Sequence, residues 1–249
     1  RLYTIYIKDL ETGLLLNETI AGTSGNLVWA SDNATLFYGM KDESLRPYKI
    51  FRHCVGTPAS DDPEVYHEAD DQFCVYVTKS KSRKYLIICS ESTLSSECRI
   101  MESDRPDQPF RVFQPRQSDL LYDIGHFGDC FYIQTNADGA QNFKIMKTPV
   151  AKTGKEHWKE VIAHRPDVLI ESFSLFNHYF VIEERHNGLV NIRIKRWDDD
   201  TDYYIDFGEP AYTAEVGANP NFDALTLRYS YTSMTTPASV YAFDMLTRQ

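Results

Sequence analysis

Phe73-Cys74-Val75-Tyr76-Val77-Thr78, then Lys79-Ser80-Lys81-Ser82-Arg83-Lys84, then Tyr85-Leu86-Ile87-Ile88-Cys89-Ser90: an apolar strand, a polar turn and a second apolar strand. β-branched and aromatic residues fit a pleated, half-buried surface, and the six polar residues between them supply the reversal. Four other places repeat the pattern. Second strands begin near Leu36, Tyr85, Cys130, Tyr179 and Leu225, at offsets of 49, 45, 49 and 46 residues. A repeat of roughly 40 to 50 residues, each holding about four short strands, predicts a β-propeller, in which small antiparallel sheets serve as blades around a channel.

Alternation marks the strands, and Gly, Pro, Asn and Asp mark their ends. Residues 2–10 and 14–20 read as two outer strands of one blade, joined by Glu11-Thr12-Gly13. Complete blades are expected over 27–67, 73–113, 120–163 and 170–207, and an incomplete last blade over 211–244. Two opening strands and three closing ones make five, one more than a four-stranded blade holds. The expectation is therefore an all-β chain carrying about five blades of a larger propeller.

Composition sets outer bounds. The 249 residues are 42% hydrophobic and 13% aromatic, enough for a large core. The longest apolar runs, Phe73 to Val77 and Tyr85 to Cys89, are far short of the ~20 residues that cross a bilayer as a helix. The first residues alternate as a strand and lack the pattern of a signal peptide. Cys54, Cys74, Cys89, Cys98 and Cys130 include no C-x-x-C pair and read as free buried thiols of a reducing compartment, so the chain is expected to be cytoplasmic. The sequons Asn17-Glu18-Thr19 and Asn33-Ala34-Thr35 pull the other way, toward a secreted, lectin-like protein. A net charge of −10 with no basic stripe argues against nucleic acid.

Catalytic and metal motifs do not assemble. Gly22-Thr23-Ser24-Gly25 is the nearest string to a G-x-S-x-G elbow, but its serine is misplaced and a turn before a strand is expected there. His53, His67, His126, His157, His164, His178 and His186 form no H-E-x-x-H pair. Asn136-Ala137-Asp138-Gly139-Ala140-Gln141-Asn142 and Asp198-Asp199-Asp200-Thr201-Asp202 offer oxygens to a hard cation, yet both fall between strands, where turns require these residue types. Lys79 to Lys84 reads as a solvated hairpin. No residue is expected to be catalytic, to bind a cofactor or to hold a metal.

Three stretches carry a resemblance. They are Leu45-Arg46-Pro47-Tyr48-Lys49-Ile50-Phe51-Arg52-His53-Cys54-Val55-Gly56-Thr57 with His67-Glu68-Ala69-Asp70-Asp71-Gln72-Phe73; Leu175-Phe176 with Glu183-Glu184-Arg185-His186-Asn187-Gly188-Leu189; and Arg228-Tyr229-Ser230-Tyr231-Thr232-Ser233-Met234-Thr235-Thr236-Pro237 with Val240 to Met245. Together they resemble the propeller of the prolyl oligopeptidase family, nearest its oligopeptidase B branch. The resemblance implies a serine endopeptidase in which a seven-bladed propeller caps an α/β-hydrolase domain that holds the Ser-Asp-His triad and cleaves short peptides after Lys or Arg. That hydrolase domain would lie outside residues 1–249, leaving these residues to gate access, with the hydrolase domain and short basic peptides as partners. Arg52, Glu68 and Arg185 are then the charged residues expected to fix blades or the domain contact through buried pairs. The competing class is a non-catalytic interaction scaffold, against which stands that no single repeat carries the paired Gly-His…Trp-Asp signature and that the sequence has no Gly-Gly pair.

Overall fold

The computed structural model describes residues 1–199 and 201–249. Every regular element among them is a strand or a three-residue 3₁₀ turn, the latter at Ala59–Asp61, Ala137–Gly139 and Lys155–His157. Strands β1 (Tyr3–Lys8), β2 (Leu15–Trp29), β3 (Thr35–Lys41), β4 (Pro47–Cys54) and β5 (Glu64–His67) form the first sheet in chain order. The second holds β6 (Cys74–Lys79), β7 (Tyr85–Glu91), β8 (Ser96–Glu102) and β9 (Arg111–Val112). The third holds β10 (Tyr122–Phe127), β11 (Cys130–Thr135), β12 (Lys144–Pro149) and β13 (Lys159–Ile162). β14 (Val168–Leu175), β15 (Tyr179–His186), β16 (Leu189–Arg196) and β17 (Asp202–Tyr204) form the fourth, and β18 (Tyr212–Val216), β19 (Thr226–Ser233) and β20 (Ser239–Asp244) the fifth. Each sheet is an antiparallel meander, the sheet of a propeller blade.

Burial explains the repeat. The second strands lie between two neighbours in their sheets; β19 alternates, but in the first four sheets they are covered on both faces, so β7 is buried from Leu86 to Ser90 and β11 from Phe131 to Thr135. Such strands read as unbroken apolar runs. The first strands alternate instead, as in β6, where Val75 and Val77 are buried and Cys74 and Thr78 exposed.

The chain divides into two compact units, Arg1–Leu120 and Leu121–Gln249. In the first, Ala30, Phe37 and Ile50 of the first sheet pack on Val75, Val77, Leu86, Ile88 and Met101 of the second. Asn26 adds a polar clamp: its side-chain oxygen accepts the Val77 amide at 2.7 Å and its amide donates to the Val77 carbonyl at 3.0 Å, as a neighbouring strand would. In the second unit, Tyr132 and Ile145 pack against Ile170, Phe180 and Ile182, while Val181, Ile192 and Ile194 pack against Leu227, Tyr229 and Tyr231.

Four expectations change. The opening strands are not detached from the first complete blade, because β2 runs through both expected segments: Thr23 faces Tyr3 of β1 and also Met40 of β3. Gly22 and Gly25, both at positive φ, let this strand bend where the pairing changes hands. Gly22-Thr23-Ser24-Gly25 therefore lies inside a strand rather than in a turn before one. The cysteines are not all free and buried: Cys89 and Cys98 are joined in a disulfide, while Cys54 and Cys74 are exposed and Cys130 is half-buried. Cys89 and Cys98 stand directly opposite on β7 and β8, equidistant from the turn between them. Last, the Lys79–Lys84 hairpin is only partly solvated: Ser80 is buried, Lys79 Nζ donates to the Trp29 carbonyl at 3.0 Å, and burial pushes the Lys81 amine down to about 7.

Candidate functional site

The chemistry-bearing groups of the first unit converge on Glu68, which follows β5 and is 5% exposed. One carboxylate oxygen accepts from Arg116 Nη2 at 2.5 Å, Ser90 Oγ at 2.5 Å and Tyr66 Oη at 2.9 Å, and the other from the Asp70 amide at 3.0 Å. The Arg116 guanidinium lies 3.5 Å from the centre of the Phe73 ring, and its backbone amide donates to Glu97, whose other oxygen takes Arg99. Arg99 in turn sits over the Tyr66 ring. The circuit thus closes on itself and ties the end of the first sheet to the second. Burial alone would raise the Glu68 carboxyl, but these hydrogen bonds, Arg116 foremost, hold it down at about 2.

A second circuit lies within the other unit around Glu184, 1% exposed on β15. Arg165 Nη2 donates to it at 2.5 Å, Tyr204 Oη at 2.6 Å and Arg193 Nη1 at 3.1 Å. Arg193 also makes two bonds to Asp202, which with burial working against it still raises the guanidinium above its usual value. Its neighbour Glu183 accepts the Ser172 hydroxyl and, at 2.6 Å, the Val216 amide, so it links the fourth sheet to the fifth.

Of the three charged residues singled out from sequence, Glu68 is a buried blade-to-blade tie. Arg52 is half-buried and reaches from β4 to the Pro106 carbonyl of the second blade at 2.9 Å. Arg185 is exposed; it pairs at 2.5 Å with Glu171 on the adjacent strand of its own sheet and ties no blades. The expectation of a buried pair there is corrected: the alternation of β15 turns Glu184 inward and Arg185 out. Glu184, Arg116 and Arg193 escaped the sequence reading: Arg116 lies 48 residues from Glu68, and Arg193 meets Glu184 and Asp202, each nine residues away, only through pairing across strands.

His53 escaped it too. Fully buried on β4, it has Asp62 at 2.9 Å from Nδ1 and Glu18 at 3.2 Å from Nε2, with Tyr38 Oη donating to the same Asp62. No serine shares this network, so it ties β2, β4 and the loop before β5 rather than activating a nucleophile. The oxygen-rich strings are engaged with cations of the chain. Asp138 pairs with Lys144 and Lys155, Asp199 with Arg196, and Asp202 with Arg193 and Lys195, while Asp200 lies outside the described residues. Among the described residues no three His, Cys, Asp or Glu side chains gather as a metal site, and no helix is long and apolar enough to cross a membrane.

Residues 1–249 match, over their whole length, the model of the prolyl oligopeptidase N-terminal β-propeller domain. The chain belongs to the prolyl oligopeptidase family. A dipeptidyl aminopeptidase BI from Pseudoxanthomonas mexicana is 44% identical over 99% of the chain and 34% of that protein. A protease 2 from Moraxella lacunata is 30% identical over 98% of the chain and 35% of that protein. Among solved structures, oligopeptidase B from Leishmania major superposes with a TM-score of 0.93 at 25% identity, covering the whole chain and 36% of that one. Oligopeptidase B from Trypanosoma brucei, with covalently bound antipain in its closed form, gives 0.88 at 30% identity over 94% of the chain and 34% of that one. The chain spans about a third of the length of these prolyl oligopeptidase relatives.

Proposed function

We propose that these blades belong to a serine oligopeptidase of the oligopeptidase B type, which cleaves short peptides after Lys or Arg with a triad carried by an α/β-hydrolase domain outside residues 1–249. The blades restrict access to that domain, and no residue among them performs the chemistry. The observation that carries this reading is the superposition on oligopeptidase B from Leishmania major across the whole chain. The net charge of −10 supports it, since an acidic protein steers basic peptides inward. A cytoplasmic location is part of the proposal. Two exposed thiols, Cys54 and Cys74, suit a reducing compartment, and the Cys89–Cys98 bond is buried away from soluble reductants.

A second reading has its own support. The relative with 44% identity is named for removing dipeptides from amino termini, and its specificity is the alternative for the parent of this chain. One comparison separates them: the full-length protein is given an amino-blocked substrate with Arg before the scissile bond, and a dipeptide amide with a free amino terminus. Turnover of the blocked substrate supports the oligopeptidase reading; turnover of the free dipeptide amide alone replaces it with the aminopeptidase. Failure of a fluorophosphonate probe to label any serine of the full-length protein would favour the scaffold.

A further inference from the structure

Cys89 on β7 and Cys98 on β8 are 1% and 0% exposed, whereas Cys54 and Cys74 are open to solvent. The ladder that brings the buried pair together does not depend on their bond. Seven consecutive residue pairs run without a shift from Tyr85–Glu102 to Glu91–Ser96, and the Ser92 amide closes the turn on the Ser95 carbonyl at 2.9 Å. The two Cα atoms are 4.2 Å apart, the spacing of facing residues that exchange no backbone hydrogen bonds and whose side chains meet. As thiols, the two sulfurs would still face each other.

Access to them is another matter. Tyr76 of β6 stands opposite Cys89, and the Phe113 amide, just past β9, donates to the Cys98 carbonyl at 2.9 Å, so neither strand is an edge. Phe113 is itself 1% exposed. Thiol–disulfide exchange begins with a thiolate on sulfur, and a small thiol reaches these sulfurs only when β7 and β8 part. Parting is more than fraying. Leu86 and Ile88 of β7 and Met101 of β8 belong to the core that joins the first sheet to the second, so opening the ladder opens that core.

We infer that Cys89 and Cys98 form a redox latch, set while the second blade closes and then kept, as disulfide or as dithiol, until the blade opens again. In the open chain the oxidant is a low-molecular-weight disulfide. One cysteine thiolate attacks it and releases a small thiolate; the other attacks the protein-bound sulfur of the mixed disulfide and releases the second. Two protein thiols become one S–S bond, and the small disulfide becomes two thiols. Once the sheet closes over the pair, exchange in either direction waits for re-opening. The disulfide form also resists re-opening, since joining residues nine apart removes chain freedom from the open state alone. The blade thus retains the redox conditions under which it folded, while the exposed Cys54 and Cys74 follow those of the moment.

The test gives the full-length protein, with the pair oxidised, dithiothreitol in buffer or in unfolding urea; timed samples are alkylated and read peptide by peptide in the mass spectrometer. Reduction in buffer is expected to be at least about a hundredfold slower than in urea, and to climb steeply with urea below the unfolding transition. A protein purified as the dithiol is given glutathione disulfide instead, and the same ratio is expected for oxidation. A smaller ratio, or a native rate indifferent to low urea, would overturn the latch. Folding in excess glutathione disulfide that leaves Cys89 and Cys98 unjoined would overturn it as well. Cys74→Ser tests a second route, through the exposed thiol on the neighbouring strand. An unchanged rate supports opening as the gate; a slower one would make Cys74 a relay and refute it.

Discussion

Glu68 shows how much one side chain can decide in this fold. It is buried and ionised at neutral pH because four donors and the Arg116 charge outweigh the cost of removing it from water. Replacing it, Glu68→Gln, leaves Arg116 without its counter-charge, and the expected loss is about 3 kcal/mol in urea unfolding. Its pH signature has a definite sign. The folded pKa is lowered, so the contribution is full above the ordinary carboxylate value and is lost as the pH falls toward about 2. Wild-type stability should therefore drop more steeply below pH 4.5 than that of Glu68→Gln, as equilibrium unfolding across pH will show. Arg185→Ala should cost under about 0.5 kcal/mol, since its pair with Glu171 is exposed. The sequence placed Glu68 and Arg185 on equal footing, because both are charges beside apolar runs. Only strand alternation, which turns neighbouring side chains to opposite faces, separates a tie from a surface pair.

At the scale of elements, strand existence was legible because β3, β7, β11 and β15 carry runs of buried, mostly apolar residues, while β19 is marked by alternation. Second strands begin at Thr35, Tyr85, Cys130, Tyr179 and Thr226, within a residue of the positions read from sequence. What the sequence concealed was pairing across blades. The clamp of Asn26 on Val77 joins residues 51 apart, and nothing local to either residue announces it. Asn26→Ala leaves the Val77 amide and carbonyl without this partner, and should cost about 1 to 3 kcal/mol while Asn26→Asp, which keeps the acceptor, costs less. Denaturation midpoints of the two variants check the order. The disulfide was hidden for another reason: a gap of nine residues looks unremarkable until the turn is centred between the two cysteines.

On the scale of the whole molecule, the repeat and its residues reached the family, while the chemistry belongs, on the reading proposed above, to a domain outside residues 1–249. The 249-residue chain by itself is expected not to hydrolyse Lys or Arg esters. His53, its best-placed base, is engaged by carboxylates on both ring nitrogens. Turnover by the purified chain that disappears on replacing one of its own serines would refute this. Far-ultraviolet circular dichroism should show strand without helical minima, in keeping with strands and three-residue 3₁₀ turns as the regular elements described.

The division of the chain at Leu120 also sorts its three tryptophans. Trp29 belongs to the first unit, whereas Trp158 and Trp197 belong to the second, the latter stacked on Phe127 at 4.3 Å and on Phe180 at 5.4 Å. Intrinsic emission is therefore already partitioned by half. In the 249-residue chain, Trp29→Phe makes tryptophan fluorescence a report on residues 121–249, and the difference from the unaltered chain isolates the remainder, so each half has a lamp of its own without any added dye.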